Sequence, residues 1–309
     1  MIENIPTDLL YDGESQSIMN QFENLRAKIL EHKFDLNRTG TNSMLYSIAD
    51  FALSVFGTRS RAANSLKRRI LDYLVARDKV PVSYVNVVWT KDVVSSSTRP
   101  YPVRRAEYPW ALSKADLDRS MKILDIGSGV SLLPIYLASN GHEVTSVDND
   151  AILMNKISPL MAKCCKADLK YRLGDAAKLP FEDDTFERVF CISVLEHLEE
   201  EKIDGKYVNY HKLNLDVTAI ADMIRVLRPG GLLILTFDWS ENPDDPRSYR
   251  LQDIYDRVLK PYRRFLVVDK LPEIDWEELK AKHIRAWKEY PPFNYVTEGW
   301  AMGAVLQKK

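Results

Sequence analysis

From residue 121 onward the sequence alternates short apolar runs with amphipathic stretches, and this alternation limits the folds open to the chain. Strands are predicted at 121–127, 142–148, 169–175, 186–194, 229–239 and 298–309, and helices at 131–141, 152–165 and 217–227. Strands that alternate with helices form parallel sheets with helical crossovers. We therefore expect an α/β fold, with a Rossmann-like, mostly parallel sheet and helices on both faces.

The first third of the chain has a different pattern. Apolar residues recur at three- and four-residue spacing, which is typical of amphipathic helices, in 17–34, 42–57 and 61–77. A strand or extended segment is predicted at 80–89, and a connector with Ser, Thr and Pro at 95–110.

These patterns predict two parts. Residues 1–105 form a helical N-terminal extension that acts as a substrate lid, and residues 106–309 form the α/β domain. A polar, helical insertion at 240–290 interrupts the second part. We expect the extension and the insertion together to cover the active site and select the substrate.

Composition excludes several classes of protein. With 43 basic and 44 acidic residues the net charge is -1, so there is no global bias toward nucleic acid. No run of about 18 apolar residues predicts a membrane span, and the acidic start has no signal-peptide pattern, so we expect a cytoplasmic protein. Cys164, Cys165 and Cys191 are expected to be buried thiols rather than a zinc site or a disulfide framework.

The stretch LDIGSGVS, residues 124–131, places a carboxylate just before a glycine-containing turn. A dinucleotide-binding turn would read G-x-G-x-x-G and hold a pyrophosphate at a helix N-terminus. Here Gly127 and Gly129 fit, but Leu132 occupies the third position and would crowd the helix against the strand. Asp125 would also repel a pyrophosphate, whereas it suits a ligand that carries an ammonium group.

This stretch resembles the first motif of the class I S-adenosylmethionine-dependent methyltransferases, with Ser131 where a third glycine often lies. The resemblance implies a seven-stranded sheet with a reversed final strand, and S-adenosyl-L-methionine as cofactor. It implies that Asp125 reaches the methionine ammonium, and that Gly127, Ser128 and Gly129 let the backbone approach the cofactor closely.

Three later motifs follow in the order found in that family. Asp148 ends the second strand 23 positions after Asp125, and with Asn149 beside it resembles the site that accepts hydrogen bonds from ribose hydroxyls. Asp175 matches the acid that contacts the adenine amino group, and Ala176 supplies a backbone donor. The turn VLRPGGLLIL, residues 226–235, enters the fifth predicted strand.

After the fourth predicted strand the chain reads SVLEHL and lacks the D/N/S-P-P-aromatic motif of enzymes that methylate planar nitrogens. The Glu196-His197 pair resembles the small-molecule branch of the family. Ser193 is a predicted cofactor contact, and it stands where some quinone-type O-methyltransferases have a metal-binding Glu, so no metal is expected.

Two groups are candidates for removing the acceptor's proton. His197 carries an imidazole, the side chain that most often acts as a general base near neutral pH; alternatively it only orders the helix start through Glu196. Asp238 ends the fifth predicted strand, where open α/β sheets bind ligands; alternatively it is a cap or anchors the insertion.

The stretch RRAEYPWAL, residues 104–112, precedes the first strand and resembles a subset of class I methyltransferases. Arg104 is a candidate partner for the cofactor carboxylate or an acidic substrate, and Tyr108 for covering the cofactor; a packed linker is the alternative. The basic run 58–70 is either a nucleic-acid contact or the solvated face of a helix.

The combined motifs favour a cytosolic methyltransferase that O-methylates a small molecule such as a saccharide, lipid head group or secondary metabolite. Three other functions stay open. They are a tRNA or protein methyltransferase, a nicotinamide-dependent oxidoreductase, and a protein that binds the cofactor without turning it over. The sequence leaves the acceptor and the oligomeric state undetermined.

Overall fold

A computed structural model describes the chain in separate ranges. These are residues 2–6, 9, 12–31, 102–118, 120–151, 153–199, 201–203, 206–208, 213–240, 248–262 and 300–309. The helices predicted at 42–57 and 61–77, the basic run 58–70, the segment at 80–89 and most of the insertion lie outside these residues.

Seven strands of the described residues form one sheet. In chain order the strands are β1 (Ile2–Asn4), β2 (Lys122–Ile126), β3 (Glu143–Asp148), β4 (Lys170–Leu173), β5 (Phe186–Ile192), β8 (Leu227–Trp239) and β9 (Trp300–Gln307), while β6 (Glu201–Ile203) and β7 (Lys206–Val208) form a separate antiparallel pair. The order across the large sheet is β1-β9-β8-β5-β2-β3-β4. Strands β8, β5, β2, β3 and β4 run parallel, and β9 is antiparallel to both β8 and β1. The predicted α/β class, with a reversed final strand, is confirmed.

Helices connect and cover these strands. They are α1 (Gly13–Glu31), α2 (Pro102–Lys114), α3 (Leu133–Ser139), α4 (Ser158–Cys164), α5 (Leu215–Val226) and the single turn α6 (Leu251–Asp253). A π-helical turn precedes α4, so the predicted 152–165 helix is split just before Pro159. Within the described residues, none of the helices is long and apolar enough to cross a bilayer.

Strand β8 shows that both faces of the sheet are covered. Neighbouring residues of a strand point to opposite faces. Thr236 donates a hydrogen bond to Glu107 of α2, while Phe237 packs against Tyr249, with 5.3 Å between ring centroids. The Tyr249 hydroxyl in turn donates to Asp216 of α5 at 2.9 Å. The core of the domain therefore lies in two layers, one under α2 and one under α5.

The first residues of the chain belong to the large sheet, which the sequence patterns did not predict. Strand β1 pairs with β9, and the Glu3 carboxylate accepts a hydrogen bond from Trp110 Nε1 and pairs with Lys114, both at 2.7 Å. A strand of three residues is too short to show a period of two. The predicted helical extension therefore begins with an edge strand of the α/β sheet.

The connector predicted at 95–110 is wrong over its second half, because α2 begins at Pro102. Proline is tolerated in the first turn of a helix, where its missing N–H needs no partner. Pro109 lies inside α2 and removes one backbone hydrogen bond, but Ala106, Trp110 and Ala111 bury the same helix against the sheet. The boundary predicted between residues 105 and 106 falls within this helix.

The part of the predicted insertion that the structure describes from residue 248 to residue 262 packs against α5. Arg257 pairs with the buried Asp216 through Nε and Nη2, and Tyr249 donates a hydrogen bond to the same carboxylate. The hydroxyl of Tyr262 donates to the carbonyl of Val217. A buried carboxylate needs such partners to offset its desolvation. This network fixes residues 249–262 on the face of the sheet opposite α2.

Replacing Gly303 by alanine should destabilise the fold. A Cβ at this position of β9 would lie 2.2 Å from the ring of Trp110, which is 1% exposed and tied to Glu3. Overpacking of this kind costs about 1–3 kcal/mol, which urea denaturation would measure. Gly13→Ala is the control, because a Cβ there has no neighbour within 4 Å. Equal stability of the Gly303→Ala variant and the wild type would contradict this account of the packing.

Candidate active site

A tight backbone turn follows β2. Gly127 has a φ of 67° and Gly129 a φ of 49°, the left-handed region that glycine adopts at no steric cost. The Gly127 N–H donates to the carbonyl of Val147 at 2.8 Å, and a Cβ on Gly127 would lie 2.4 Å from Val194. The turn therefore passes too close to the end of β5 for any larger residue.

The carboxylate of Asp148 holds this turn in place. Its Oδ2 accepts the N–H of Gly129 at 2.8 Å, and its Oδ1 accepts the N–H of Asp150 at 2.9 Å. Each carboxylate oxygen has a second lone pair, so both can accept a further hydrogen bond from a ligand. Asp148 thus orders the turn and remains able to receive hydroxyl groups.

Two cavities open on either side of the turn. The first, which we call the Asp125 cavity, has a volume of about 210 Å³, and the second, the Asp148 cavity, of about 300 Å³. Ile126, Gly127 and Ser193 line both, so the two cavities adjoin at these residues. The Asp125 cavity is also lined by Met19, Phe22, Arg104, Tyr108, Ser128 and Ser131, and the Asp148 cavity by Asn149, Asp175, Ala176, His197 and Leu215.

Asp125 is the most unusual group in this cleft. It is 3% exposed, and its Oδ2 has no hydrogen-bond partner among the described residues. Burial, and secondly the charge of Asp148, raise the pKa of Asp125 well above its ordinary value. A buried carboxylate without a partner is costly unless a cation or donor joins it. The site therefore fits a ligand that brings a positively charged donor to the end of β2.

The other predicted cofactor residues lie along the same cleft. Asp175 accepts the N–H of Ala177 at 2.8 Å, and its carboxylate is exposed at the rim of the Asp148 cavity. The structure therefore brings all of the predicted cofactor contacts to the turn or to one of the two cavities beside it.

The Asp125 cavity is covered by α1. Phe22 stacks between Tyr108 of α2 and Tyr136 of α3, with ring centroids 5.1 Å and 4.8 Å apart. Met19 lies one turn earlier on the same face of the helix and lines the cavity with it. The Tyr108 hydroxyl is 3.1 Å from Ser131 Oγ, which itself accepts the N–H of Leu133. Aromatic rings and a methionine thus form an apolar wall opposite Asp125.

A polar cluster lies beside Ser193. The fully buried Glu107 of α2 accepts hydrogen bonds from Ser193 Oγ at 2.6 Å and Thr236 Oγ1 at 2.5 Å, and its other oxygen pairs with Arg104. Burial disfavours the charge of Arg104, but the nearby carboxylate of Glu107, with smaller contributions from Asp238 and Glu196, raises the pKa of Arg104 overall. Arg104 therefore lines the cavity as a paired cation.

The three predicted catalytic residues do not lie together. His197 lines the Asp148 cavity and is exposed, whereas Glu196 is fully buried next to Asp238, whose N–H donates to Glu196 Oε1 at 3.4 Å. Burial, then the charge of Asp238, raise the pKa of Glu196 to about 8. Neither Glu196 nor Asp238 is among the residues that line the two cavities.

Sequence reasoning missed Glu107, Thr236 and Phe22. Arg104 and Glu107 have the i, i+3 spacing of a helical ion pair, but the three prolines around them indicated a connector instead. Thr236 lies in a strand, and nothing in the sequence around it indicates a role. Its contact with Glu107 exists only in the folded protein. The apolar stripe of α1 was predicted, but no pattern in it identifies the cavity as its partner.

Comparisons with known proteins found similar sequences and structures. The model of the family described as "Methyltransferase domain" matches residues 124–235. A "Ubiquinone/menaquinone biosynthesis C-methyltransferase UbiE" of Idiomarina loihiensis is 25% identical over 206 residues, which cover 65% of this chain and 69% of that protein. Its counterpart in Marinomonas sp. (strain MWYL1) is 30% identical over 140 residues, covering 44% and 47%. A TehB-like SAM-dependent methyltransferase structure from Corynebacterium glutamicum has a TM-score of 0.44 at 18% identity, covering 74% and 98%.

The strand order, the glycine turn after the first parallel strand and the acids in β2 and β3 are those of the class I S-adenosylmethionine-dependent methyltransferases, and residues 124–235 match a methyltransferase domain. The protein is an enzyme of that class. The matched methyltransferase domain runs from Leu124 in β2 to Leu235 in β8. It contains the glycine turn, Asp148, Asp175 and Ser193.

Proposed function

We propose that this methyltransferase transfers the methyl group of S-adenosylmethionine to a hydroxyl of a small-molecule acceptor. The observation that carries the cofactor assignment is Asp125, a buried carboxylate whose Oδ2 lacks a partner among the described residues and which lines a cavity adjoining the one lined by Asp148 and Asp175. An ammonium group in the Asp125 cavity would supply the missing charge and donor.

Different residues of the cleft would bind different parts of the cofactor. Asp125 would hold the methionine ammonium, Asp148 the ribose hydroxyls, and Asp175 with Ala176 the adenine ring. The narrow turn at Gly127 lets the backbone approach the middle of the ligand. When bound, the cofactor supplies a methyl group on a positively charged sulfur, which a nucleophile displaces. The protein's part is to align the two reactants and keep water out.

The acceptor side of the site lies toward α1 and α2. Met19, Phe22 and Tyr108 offer an apolar and aromatic surface, and Arg104 adds a polar edge. Such a wall suits a compact acceptor with an apolar or aromatic body. We assign α1, and with it the N-terminal extension, the role of a cover that shapes this pocket.

Proton removal is assigned to His197, which is exposed and lines the Asp148 cavity together with Ser193. A general base has to come within hydrogen-bond reach of the acceptor's hydroxyl. Glu196 is fully buried, and neither it nor Asp238 lines either cavity, so the structure gives neither carboxyl a path to an acceptor.

Methylation at carbon is the second candidate. The relatives from Idiomarina loihiensis and Marinomonas are named C-methyltransferases of ubiquinone and menaquinone biosynthesis. A ring carbon becomes nucleophilic when a neighbouring hydroxyl loses its proton, so the same base and the same apolar wall would serve. The two candidates differ in the atom methylated and not in the binding of the cofactor.

Isothermal titration of the wild type with S-adenosylhomocysteine and with NADH tests the cofactor. We expect binding of the first alone. Transfer of radiolabelled methyl groups to simple phenols and quinols, compared with transfer to bulk tRNA, then tests the acceptor class. Binding of NADH in preference would overturn the cofactor assignment, and methylation of tRNA alone would overturn the small-molecule acceptor.

A further inference from the structure

Ser193 occupies a strained position at the point where the two cavities meet. Its φ is 47°, in the left-handed region that residues other than glycine rarely adopt. Three hydrogen bonds hold it there: its N–H lies 2.9 Å from the carbonyl and 3.1 Å from the hydroxyl of Thr236, and its own hydroxyl donates to Glu107. Backbone strain that is held so firmly often marks a functional site.

Glu107 determines how the hydroxyl of Ser193 can interact. An ionised carboxylate accepts hydrogen bonds and donates none, so Ser193 must direct its one proton to Glu107, 2.6 Å away. Thr236 donates to the same carboxylate oxygen, and Arg104 occupies the other. The oxygen of Ser193 therefore has only lone pairs left to offer a ligand.

The position of Ser193 indicates which part of the ligand it meets. In the proposed cofactor the sulfur joins the methionine portion to the ribose. The residues shared by the Asp125 and Asp148 cavities, Ile126, Gly127 and Ser193, lie between the sites assigned to those two portions. Among these three, Ser193 is the one that has a polar side chain.

We infer that the Ser193 hydroxyl, held as a hydrogen-bond acceptor by Glu107, contacts the charged sulfonium end of the cofactor and makes the site prefer S-adenosylmethionine to S-adenosylhomocysteine. This inference rests on the proposed cofactor. A lone pair attracts the positively polarised methyl group of the sulfonium, whereas the thioether of the product carries neither the charge nor that methyl group. Glu107 is a positioning residue in this account, because it acts through Ser193.

Equilibrium binding of three ligands tests the inference without any knowledge of the acceptor. The ligands are S-adenosylmethionine, S-adenosylhomocysteine and sinefungin, which carries an ammonium group in place of the sulfonium. Ser193→Ala and Ser193→Gly both remove the hydroxyl, and glycine also relieves the positive φ. Glu107→Gln alters the orientation of the hydroxyl, and Ser113→Ala, an exposed serine of α2 outside both cavities, is the matched control.

In both Ser193 variants we expect the affinity for S-adenosylmethionine to fall about three- to fivefold, as for a weak C–H···O contact. The affinity for sinefungin should fall about tenfold, because its ammonium makes a stronger, charge-assisted hydrogen bond. The affinity for S-adenosylhomocysteine should change by less than about twofold, a small fraction of one hydrogen bond. Glu107→Gln should also lower the affinities for S-adenosylmethionine and sinefungin relative to the affinity for S-adenosylhomocysteine. Ser113→Ala should alter none of the three affinities.

Two results would overturn the inference. Equal losses for all three ligands in the Ser193 variants would show that the hydroxyl only maintains the fold around Glu107, and unchanged affinities would show that it meets no charged group. A wild type that binds none of the three ligands would instead overturn the proposed cofactor itself.

Discussion

Replacing Asp125 by asparagine should lower the affinity for S-adenosylhomocysteine about a hundredfold, because the variant cannot offer a charge to the ligand's ammonium. The same change should leave the protein at least as stable as the wild type. Oδ2 of Asp125 has no hydrogen-bond partner among the described residues, and burial raises the pKa of Asp125, so its charged form destabilises the fold.

Isothermal titration and thermal unfolding at pH 8 would measure the two effects. Asp168→Asn, at an exposed carboxylate between α4 and β4, is the control and should change neither. Asp148→Ala is a less informative variant, because Asp148 also holds the N–H groups of Gly129 and Asp150. Undiminished affinity in the Asp125→Asn variant would rule out the ammonium assignment.

Binding of S-adenosylhomocysteine should release a proton and become tighter as the pH rises. Burial and the neighbouring charge of Asp148 raise the pKa of Asp125 in the empty site, so the group holds its proton well above the ordinary range of a carboxyl. The ligand's ammonium favours the charged form and lowers that pKa again. Below the raised pKa, the affinity should therefore increase by up to about tenfold per pH unit.

The stability of the empty protein should depend on pH in the opposite direction. A carboxyl whose pKa is raised by folding contributes most stability below its unfolded pKa, and that contribution is lost as the pH rises through the raised value.

Calorimetric titrations with S-adenosylhomocysteine in two buffers of different ionisation enthalpy would count the protons released on binding. Equal heats in both buffers would contradict the prediction, and Asp125→Asn should abolish any difference that the wild type shows.

Much of the parallel sheet and its loops could be predicted from the sequence, because the relevant signals are local. Strands β2, β3 and β5 are mostly buried, and Asp125 and Asp148 stand at or next to the ends of two of them. The carboxyl ends of neighbouring parallel strands meet at one edge of the sheet, so acids that are far apart in sequence were expected in one cleft.

The features that were missed depend on contacts between distant segments. The helix α2 contains Pro109, and local propensity favours a break there, but burial of Trp110 and Ala106 outweighs the lost hydrogen bond. Glu107 became recognisable only when Ser193 and Thr236, 86 and 129 positions away, were seen to donate to it. A polar network of this kind has no period, so no pattern in a single sequence predicts it.

The pairing of β1 with β9 has a consequence for the order in which the protein can assemble. Asn4 lies opposite Met302, so β1 leaves the ribosome long before β9, the strand with which it pairs, has been synthesised. Contacts between segments so far apart in sequence form late, because closing the intervening loop is entropically costly. Helix α1 follows β1 in the chain and lines the Asp125 cavity, so we expect this helix to be fixed over the cavity only after β9 has joined the sheet.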